Sequence, residues 1–495
     1  MSRYARLSLA DRSNLRIERL ETPAHIAGLC IIEARPLLRE DGELDLVTIR
    51  GRLERRLSRV PELRRVVRRP PPFCGPALWV DDPAFSIERH VRAVRIDPPG
   101  DEASLLGTTE LLLRPLLDRS RPLWGLWLLT GLAGGRLGAL FKIHHAVADG
   151  LAAIALAASL LDLEPDAADP PPAAWSPAPA PSTLALLADS ARCRARAAAS
   201  TLGHPVQLSR QLASALGDAA RTLRTFTRAP RTSLNALPGR SRQLRAVHLD
   251  LEQARTAAHA RGATVNDVLL TVVAGGLRTL LLARGELTAG MELMVSVPTA
   301  LRGARAAREL GNAVGAIAVP LPVYEPDTVR RLERIAAATR AAKAAQHPAY
   351  VQDMMAGLAA LGLALPLIRR QWLVSTFVTN IPGPGDVLYL LGARIEAVLP
   401  VIAAAGNMTV MFAALSYHGR LDVVVGADAA ACPDVDVLVS GLERAWESLT
   451  SGTKDLTAED PALNPKCTSS TSSVVSPPEG RDQTSGPGVP VWRAR

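Results

Sequence analysis

The segment His144-His145-Ala146-Val147-Ala148-Asp149-Gly150 concentrates the side chains best suited to moving a proton. Histidine changes charge near neutral pH, and one positioned imidazole acting as general base contributes about 10²–10⁴-fold in rate. The run LGALFKI at 137–143 reads as a strand that delivers the pair. Successive side chains on a strand point to opposite faces, so two histidines at its end divide their roles rather than share one metal or one substrate. Asp149 is placed to orient an imidazole, to hold the turn by a salt bridge or to cap the helix that follows. Gly150 leaves room for backbone or substrate to approach closely. Taken alone, the seven residues fit equally well two histidines satisfied near a loop. No other His/Asp/Glu cluster offers a clear third ligand, so no metal is expected. No GxSxG elbow or phosphate-binding loop points to serine or nucleotide hydrolysis.

The elements that must position these residues indicate a layered α/β core. Residues 24–33 read as a strand, and Leu46, Ile49, Leu53, Leu57 and Val60 recur at helical spacing with arginines on the other face. Residues 124–132 and 137–143 are apolar, β-favouring runs joined by Ala133-Gly134-Gly135-Arg136, a hairpin pattern. The alanine- and leucine-rich run Leu151 to Leu163 is expected to be helical. At 495 residues the chain suits two domains. The expected organisation is a first α/β unit over 1–163 and a Pro/Ala-rich linker with connecting helices over 164–235. A second α/β unit follows over 236–460, with strands at 293–298, 314–319 and 421–425, then a disordered, Ser/Thr/Gly/Pro-rich tail over 461–495.

Composition narrows the partners. The charge of +9 is carried almost wholly by arginine, because lysine stands only at 142, 343, 454 and 466. Such an excess suits CoA phosphates or an acidic membrane surface, and equally a solvated basic surface. In the stretch 183–228 the arginines read either as a solvated face or as a lipid-contacting one. No basic stretch interleaved with aromatics supports nucleic-acid binding. Five widely spaced cysteines without a CxxC pair argue against a disulfide framework and fit a reducing cytoplasm. The N-terminus lacks a secretory h-region. The apolar stretch 354–368 is short for a span and contains Pro366; it reads as a buried helix, an interfacial patch or a tunnel wall.

With its neighbours in view, the histidine motif resembles that of the bacterial wax ester synthase/diacylglycerol acyltransferases, within the CoA-dependent acyltransferase superfamily. The segment Leu117-Asp118-Arg119-Ser120-Arg121-Pro122-Leu123-Trp124 is similar to the family's PLDRSRPLW motif, with Leu116 where proline is usual and Gly125 where glutamate is common. Leu20-Glu21-Thr22-Pro23 with His25 precedes it. Thr264-Val265-Asn266-Asp267-Val268, Leu310-Gly311-Asn312 with Gly315, Thr379-Asn380-Ile381-Pro382-Gly383-Pro384 and Ser416-Tyr417 follow in family order. The likeness spans roughly residues 7–450.

Each element also has a plain structural reading. Asn266-Asp267 suits a helix cap, Pro382-Gly383-Pro384 a rigid turn, Leu310-Gly311-Asn312 a strand entry, and the LDRSRPLW segment a packed, salt-bridged element. Arg119 and Arg121 are both placed to fix Asp149 or another carboxylate. His144 to Asp149 also fits the HxxxxD pattern of glycerol-phosphate acyltransferases, although Gly150 and the distant motifs favour the first family.

The resemblance implies two chloramphenicol-acetyltransferase-like domains, each a mixed sheet flanked by helices, with the active-site tunnel between them. It implies acyl transfer from acyl-CoA to diacylglycerol or a long-chain alcohol, with acyl-CoA a co-substrate and no cofactor. It assigns His145 as general base, leaves His144 in support and Asp149 in an orienting or structural role, and offers Asn266 as a contact for oxyanion or substrate. A natural-product acyltransferase or condensation enzyme, and a non-catalytic lipid- or CoA-binding protein, are the alternatives. The expected location is the cytoplasm, peripheral on the inner membrane face or on lipid inclusions.

Overall fold

A computed structural model of the chain describes residues 4–148, 150–172, 175–203, 229–300, 314–344, 370–402 and 406–459. In the first half the strands are β1 (Ala5–Arg6), β2 (His25–Glu33), β3 (Arg65–Arg68), β4 (Leu78–Asp81), β5 (Val91–Arg95), β6 (Trp124–Leu132) and β7 (Arg136–His144). In the second half they are β8 (Arg242–Asp250), β9 (Leu293–Ala300), β10 (Val314–Leu321), β11 (Thr376–Pro382), β12 (Tyr389–Leu390), β13 (Ala393–Ile402), β14 (Val410–Tyr417) and β15 (Arg420–Asp428). They form two six-stranded sheets, ordered β12-β13-β2-β7-β6-β5 and β10-β9-β11-β14-β15-β8, and a small sheet β1-β4-β3. Both large sheets are mixed: β5 runs parallel to β6, and β11 runs parallel to β14 and β9.

The strands expected at 24–33, 124–132 and 137–143 are present, and β6 and β7 pair antiparallel across the glycine turn. The two faces of β7 meet different cores. Leu137, Ala139 and Ile143 pack with the helix Leu46–Arg56 and its continuation. Leu140, on the opposite face, joins Leu29 of β2, Leu105 of the helix Glu102–Leu113, Leu399 of β13, and Leu244 and Val424 of the other sheet. That second core cements the two sheets. The helix Val265–Ala283 is the one described helix long and apolar enough to cross a membrane, and 72% of that apolar stretch is buried in the core.

Two expectations drawn along the sequence change in three dimensions. Residues 389–402 fall in the second unit by position, yet β13 pairs antiparallel with β2, Ile402 opposite Ile26, and so belongs to the first sheet. The boundary at 163 also moves. Asp162 and Asp169 meet the guanidinium of Arg56 at 2.6 and 2.7 Å, Arg52 reaches Asp169 at 2.5 Å, and Arg6 meets Asp189 of the helix Thr183–Gly203 at 2.7 Å. The described residues of the Pro/Ala-rich segment 164–182 form no helix or strand, and the segment is strapped to the first unit. Arg56, expected on the solvent face of its helix, is fully buried because these two carboxylates replace its hydration. The expected motif residues Leu310-Gly311-Asn312, the stretch 354–368, most of 204–235 and the tail 461–495 lie outside the described residues.

Candidate active site

His144 is the last residue of β7, cross-strand from His25 of β2, and His145 begins the turn that follows. The His145 N–H donates to the Ala24 carbonyl at 2.8 Å, and its own carbonyl accepts from Asn14 Nδ2 at 3.4 Å. The turn closes through Val147 N–H to the His144 carbonyl at 2.9 Å. His144 is fully buried and His145 half-buried, so the pair occupies unlike environments. The Ala146 N–H donates to His144 Nδ1 at 2.9 Å, which in the neutral imidazole leaves the proton on Nε2. That nitrogen faces Glu18 Oε1 at 3.3 Å.

Glu18 is the hub that spacing in the sequence did not mark. It caps the C-terminal end of the helix Leu9–Ile17, which also supplies Asn14, so one helix carries two groups to the histidines. Its carboxylate is fully buried, accepts from the Ala24 N–H at 3.2 Å and meets Arg119 Nη2 at 2.8 Å. Burial alone would raise its pKa; the neighbouring His144, then Arg119 and the Ala24 amide, outweigh burial and hold it at about 2. Of the two arginines offered by the LDRSRPLW segment, Arg119 takes this carboxylate, and Arg121 lies 3.3 Å from Asp118. Trp124 of the same segment stacks on His90 at 4.6 Å and donates to the Leu63 carbonyl at 2.6 Å, a packing role.

Two further titratable groups share this face of the sheet. Lys142 is buried, donates to the carbonyls of Leu112, Leu113 and Pro115 at 3.2, 3.3 and 2.6 Å, and so closes the C-terminal end of the helix Glu102–Leu113. Burial brings its pKa down to about 8, with the charge of Glu18 opposing. His25 is buried and its pKa lies well below the ordinary value, through burial first and the charge of Lys142 next.

The other expected residues divide. Asp149 lies outside the described residues, and Gly150 opens the helix Gly150–Ala158. Asp267 is a cap: its carboxylate accepts from Thr264 N–H at 2.9 Å and Oγ1 at 2.7 Å, closing a capping box on the helix Val265–Ala283. Asn266 sits half-buried in that first turn, and among the described residues no hydrogen bond ties it to either histidine. Pro382-Gly383-Pro384 and Ser416-Tyr417 interlock. A Cβ on Gly383 would lie 2.1 Å from the Ser416 carbonyl oxygen, its N–H donates to Ser416 Oγ at 3.2 Å, and Tyr417 Oη bridges the Leu388 N–H and the Ile395 carbonyl at 2.9 and 3.0 Å.

A shallow cleft, open to solvent, lies between the two large sheets. His25 forms part of its wall, and its floor is apolar, built from Leu113, Leu244, Val401, Ile402 and Met411. Arg240 and Arg242 stand at it, with Glu110 buried enough that its pKa is raised. Among the described residues no group of three His, Cys, Asp or Glu side chains is gathered to hold a metal ion. The arrangement can do acid–base chemistry: one imidazole lies beside a carboxylate, its neighbour is half-buried, and His25, cross-strand from His144, reaches the cleft.

Comparison with solved structures finds the same fold in a wax ester synthase/diacylglycerol acyltransferase and in condensation domains. The chain is similar to a wax ester synthase/diacylglycerol acyltransferase from Marinobacter aquaeolei VT8, with a TM-score of 0.67 and 23% identity over 91% of this chain and 100% of that one. It is also similar to a mutant starter condensation domain of rhizomide synthetase in complex with C8-CoA and Leu-SNAC, with a TM-score of 0.58 and 15% identity over 94% and 98% of the two chains. In sequence, residues 7–269 match the wax ester synthase/diacylglycerol acyltransferase catalytic domain and residues 310–450 match the C-terminal domain of that family. A Mycobacterium tuberculosis protein named "Probable diacyglycerol O-acyltransferase" is 30% identical over 89% of this chain and 97% of its own length. The chain belongs to the wax ester synthase/diacylglycerol acyltransferase family and is an acyltransferase.

Proposed function

We propose that this enzyme transfers a long-chain acyl group from acyl-CoA to the free hydroxyl of diacylglycerol, giving triacylglycerol and CoA, and to long-chain alcohols, giving wax esters. The observation that carries the mechanism is the unequal pair: His144 is fully buried, with Nε2 3.3 Å from Glu18 and Nδ1 accepting from the Ala146 amide, while His145 beside it is only half-buried. His145 takes the proton of the acceptor hydroxyl, and the oxygen attacks the thioester carbonyl. The tetrahedral intermediate collapses, the carbon–sulfur bond breaks, and the imidazolium returns its proton to the leaving CoA thiolate. No covalent acyl-enzyme and no cofactor enter the scheme. Asn266 is assigned to the oxyanion or the substrate by the family resemblance, and Asp149 to orienting the motif and Gly150 to clearance for the substrate by their type and position.

The apolar side chains lining the cleft support contact with an acyl chain there, and the relatives' names support the neutral-lipid acceptor. The C8-CoA bound to the condensation-domain neighbour supports a CoA thioester as donor. The enzyme is assigned to the cytoplasmic side, on the surface of the membrane or of lipid inclusions, where both lipids are found. The test is thiol release from palmitoyl-CoA over a panel of diacylglycerol, hexadecanol and amines. Release that depends on a hydroxyl acceptor is expected, with His145→Ala lowering it by about 10²-fold or more while the fold persists. Full activity in His145→Ala, or release with amines alone, overturns the reading.

A further inference from the structure

Away from the histidines, the first unit carries a face that no other described residue covers. In the helix Thr183–Gly203, Leu186 and Ser190 turn inward, where Leu186 packs against Cys74, Leu78 and Val80. Leu184, Leu187, Ala188, Ala191 and Ala195 recur at the spacing of a single helical stripe, and every one of them is exposed, Leu184 by 79%. Arg192, Arg194 and Arg196 flank that stripe and are exposed as well.

The loop before Cys74 runs along the same helix. Cys74 Sγ lies 3.9 Å from the Thr183 carbonyl oxygen, and Arg194 donates to the Phe73 carbonyl at 3.4 Å. Phe73 projects from this loop with 76% exposure and a left-handed φ of 68°. An aromatic ring on a strained backbone in water is costly without a partner. Exposed Arg68 and Arg69 stand just before it, and Asp189, the acidic residue of the helix, is occupied by Arg6.

We propose that this face docks on a lipid surface carrying acidic headgroups, with Phe73, Leu184 and Leu187 entering the acyl boundary and the five arginines meeting the phosphates. An apolar stripe edged by arginine, with no free carboxylate among its described residues, is complementary to such a surface in both layers. The proposal rests on the reading that the substrates are lipids, and it gives the enzyme a fixed orientation on the phase that holds them.

The full-length protein is sedimented with phosphatidylcholine vesicles and with vesicles that also contain phosphatidylglycerol. Binding only to the acidic vesicles is expected, and it should be lost in high salt. The triple variant Arg192→Gln, Arg194→Gln, Arg196→Gln should bind about a hundredfold more weakly. A second triple variant, Phe73→Asn, Leu184→Ser, Leu187→Ser, should weaken binding by roughly tenfold or more; asparagine tolerates the left-handed backbone. Both variants should keep parental thiol release with detergent-dispersed substrates. Equal binding by the parent to both vesicle types, or parental binding by the two variants, overturns the proposal. So does a size-exclusion shift to a smaller species in the second variant with vesicle binding intact, because the face is then an interface between copies. Absence of hydroxyl-dependent release in the parent would instead overturn the lipid-substrate reading and leave the vesicle result standing.

Discussion

Glutamine at position 18 keeps the shape of the side chain and one acceptor oxygen and removes the charge that joins His144, Arg119 and the Ala24 amide. A carboxyl held at about 2 against an ordinary 4.5 is favoured in its charged form by about 3 kcal/mol, the upper bound on what the charge contributes. Arg119 is partly exposed and recovers some hydration, and a neutral hydrogen bond from the Ala24 amide survives. The expected loss for Glu18→Gln is therefore about 1–3 kcal/mol at pH 7, read as a lower urea midpoint. The pKa falls on folding, so the charge stabilises fully above about 4.5, progressively less as pH falls towards about 2, and not below. Parent and variant midpoints should accordingly converge as the pH is lowered through that window. Turnover should fall as well, with KM for acyl-CoA nearly unchanged, because His144 loses its anchor one residue from His145. Equal midpoints at pH 7, or a gap that stays constant down to the lowest measurable pH, would refute the account of Glu18 as the charged hub.

Two other perturbations probe how the units are held. His248 on β8 meets Asp422 at 2.6 Å and Glu102, in the first turn of the helix Glu102–Leu113, at 2.9 Å, and these hydrogen bonds raise its pKa to about 9. Its stabilising effect should be complete below about 6.5 and disappear as pH rises through about 9, so His248→Ala should lower the urea midpoint at pH 6 and leave it unchanged at pH 10. Gly383→Ala places a methyl group 2.1 Å from the Ser416 carbonyl oxygen and should cost about 2–3 kcal/mol, measured as a fall in Tm.

The parts of the fold carried by local pattern were legible in the sequence. The hairpin at 124–144 and the strand at 25–33 are continuous apolar, β-favouring runs, and the glycines between β6 and β7 mark the turn. Partner choice was not legible. Residues 393–402 alternate as a strand should, but nothing local says that their hydrogen bonds go to β2, more than three hundred positions earlier. Arg56 looks like its neighbouring arginines until Asp162 and Asp169 arrive from beyond the hairpin. Glu18 fails the same test: its identity as a hub depends on three separate segments converging on one carboxylate. The histidines were found because the chemistry of the type is unusual, whereas carboxylates are common enough that only their partners distinguish them.

The path of β13 gives the distant motifs a physical meaning. The chain leaves the second sheet at the end of β11, passes through Pro382-Gly383-Pro384 and enters the first sheet as β12 and β13. Ser416 and Tyr417 on β14 hold that passage from the second sheet, through Ser416 Oγ on the Gly383 amide and Tyr417 Oη on Leu388 and Ile395. β13 then fixes β2, and β2 fixes β7 with His25 opposite His144. Two motifs from the second half of the chain are thus linked to the histidines through the register of the strand that delivers them. A one-residue slip of β2 against either neighbour would turn His25 and its face away from the cleft. The cost of displacing the Gly383 turn is accordingly expected in catalysis as well as in stability, although more than two hundred residues separate it from His145.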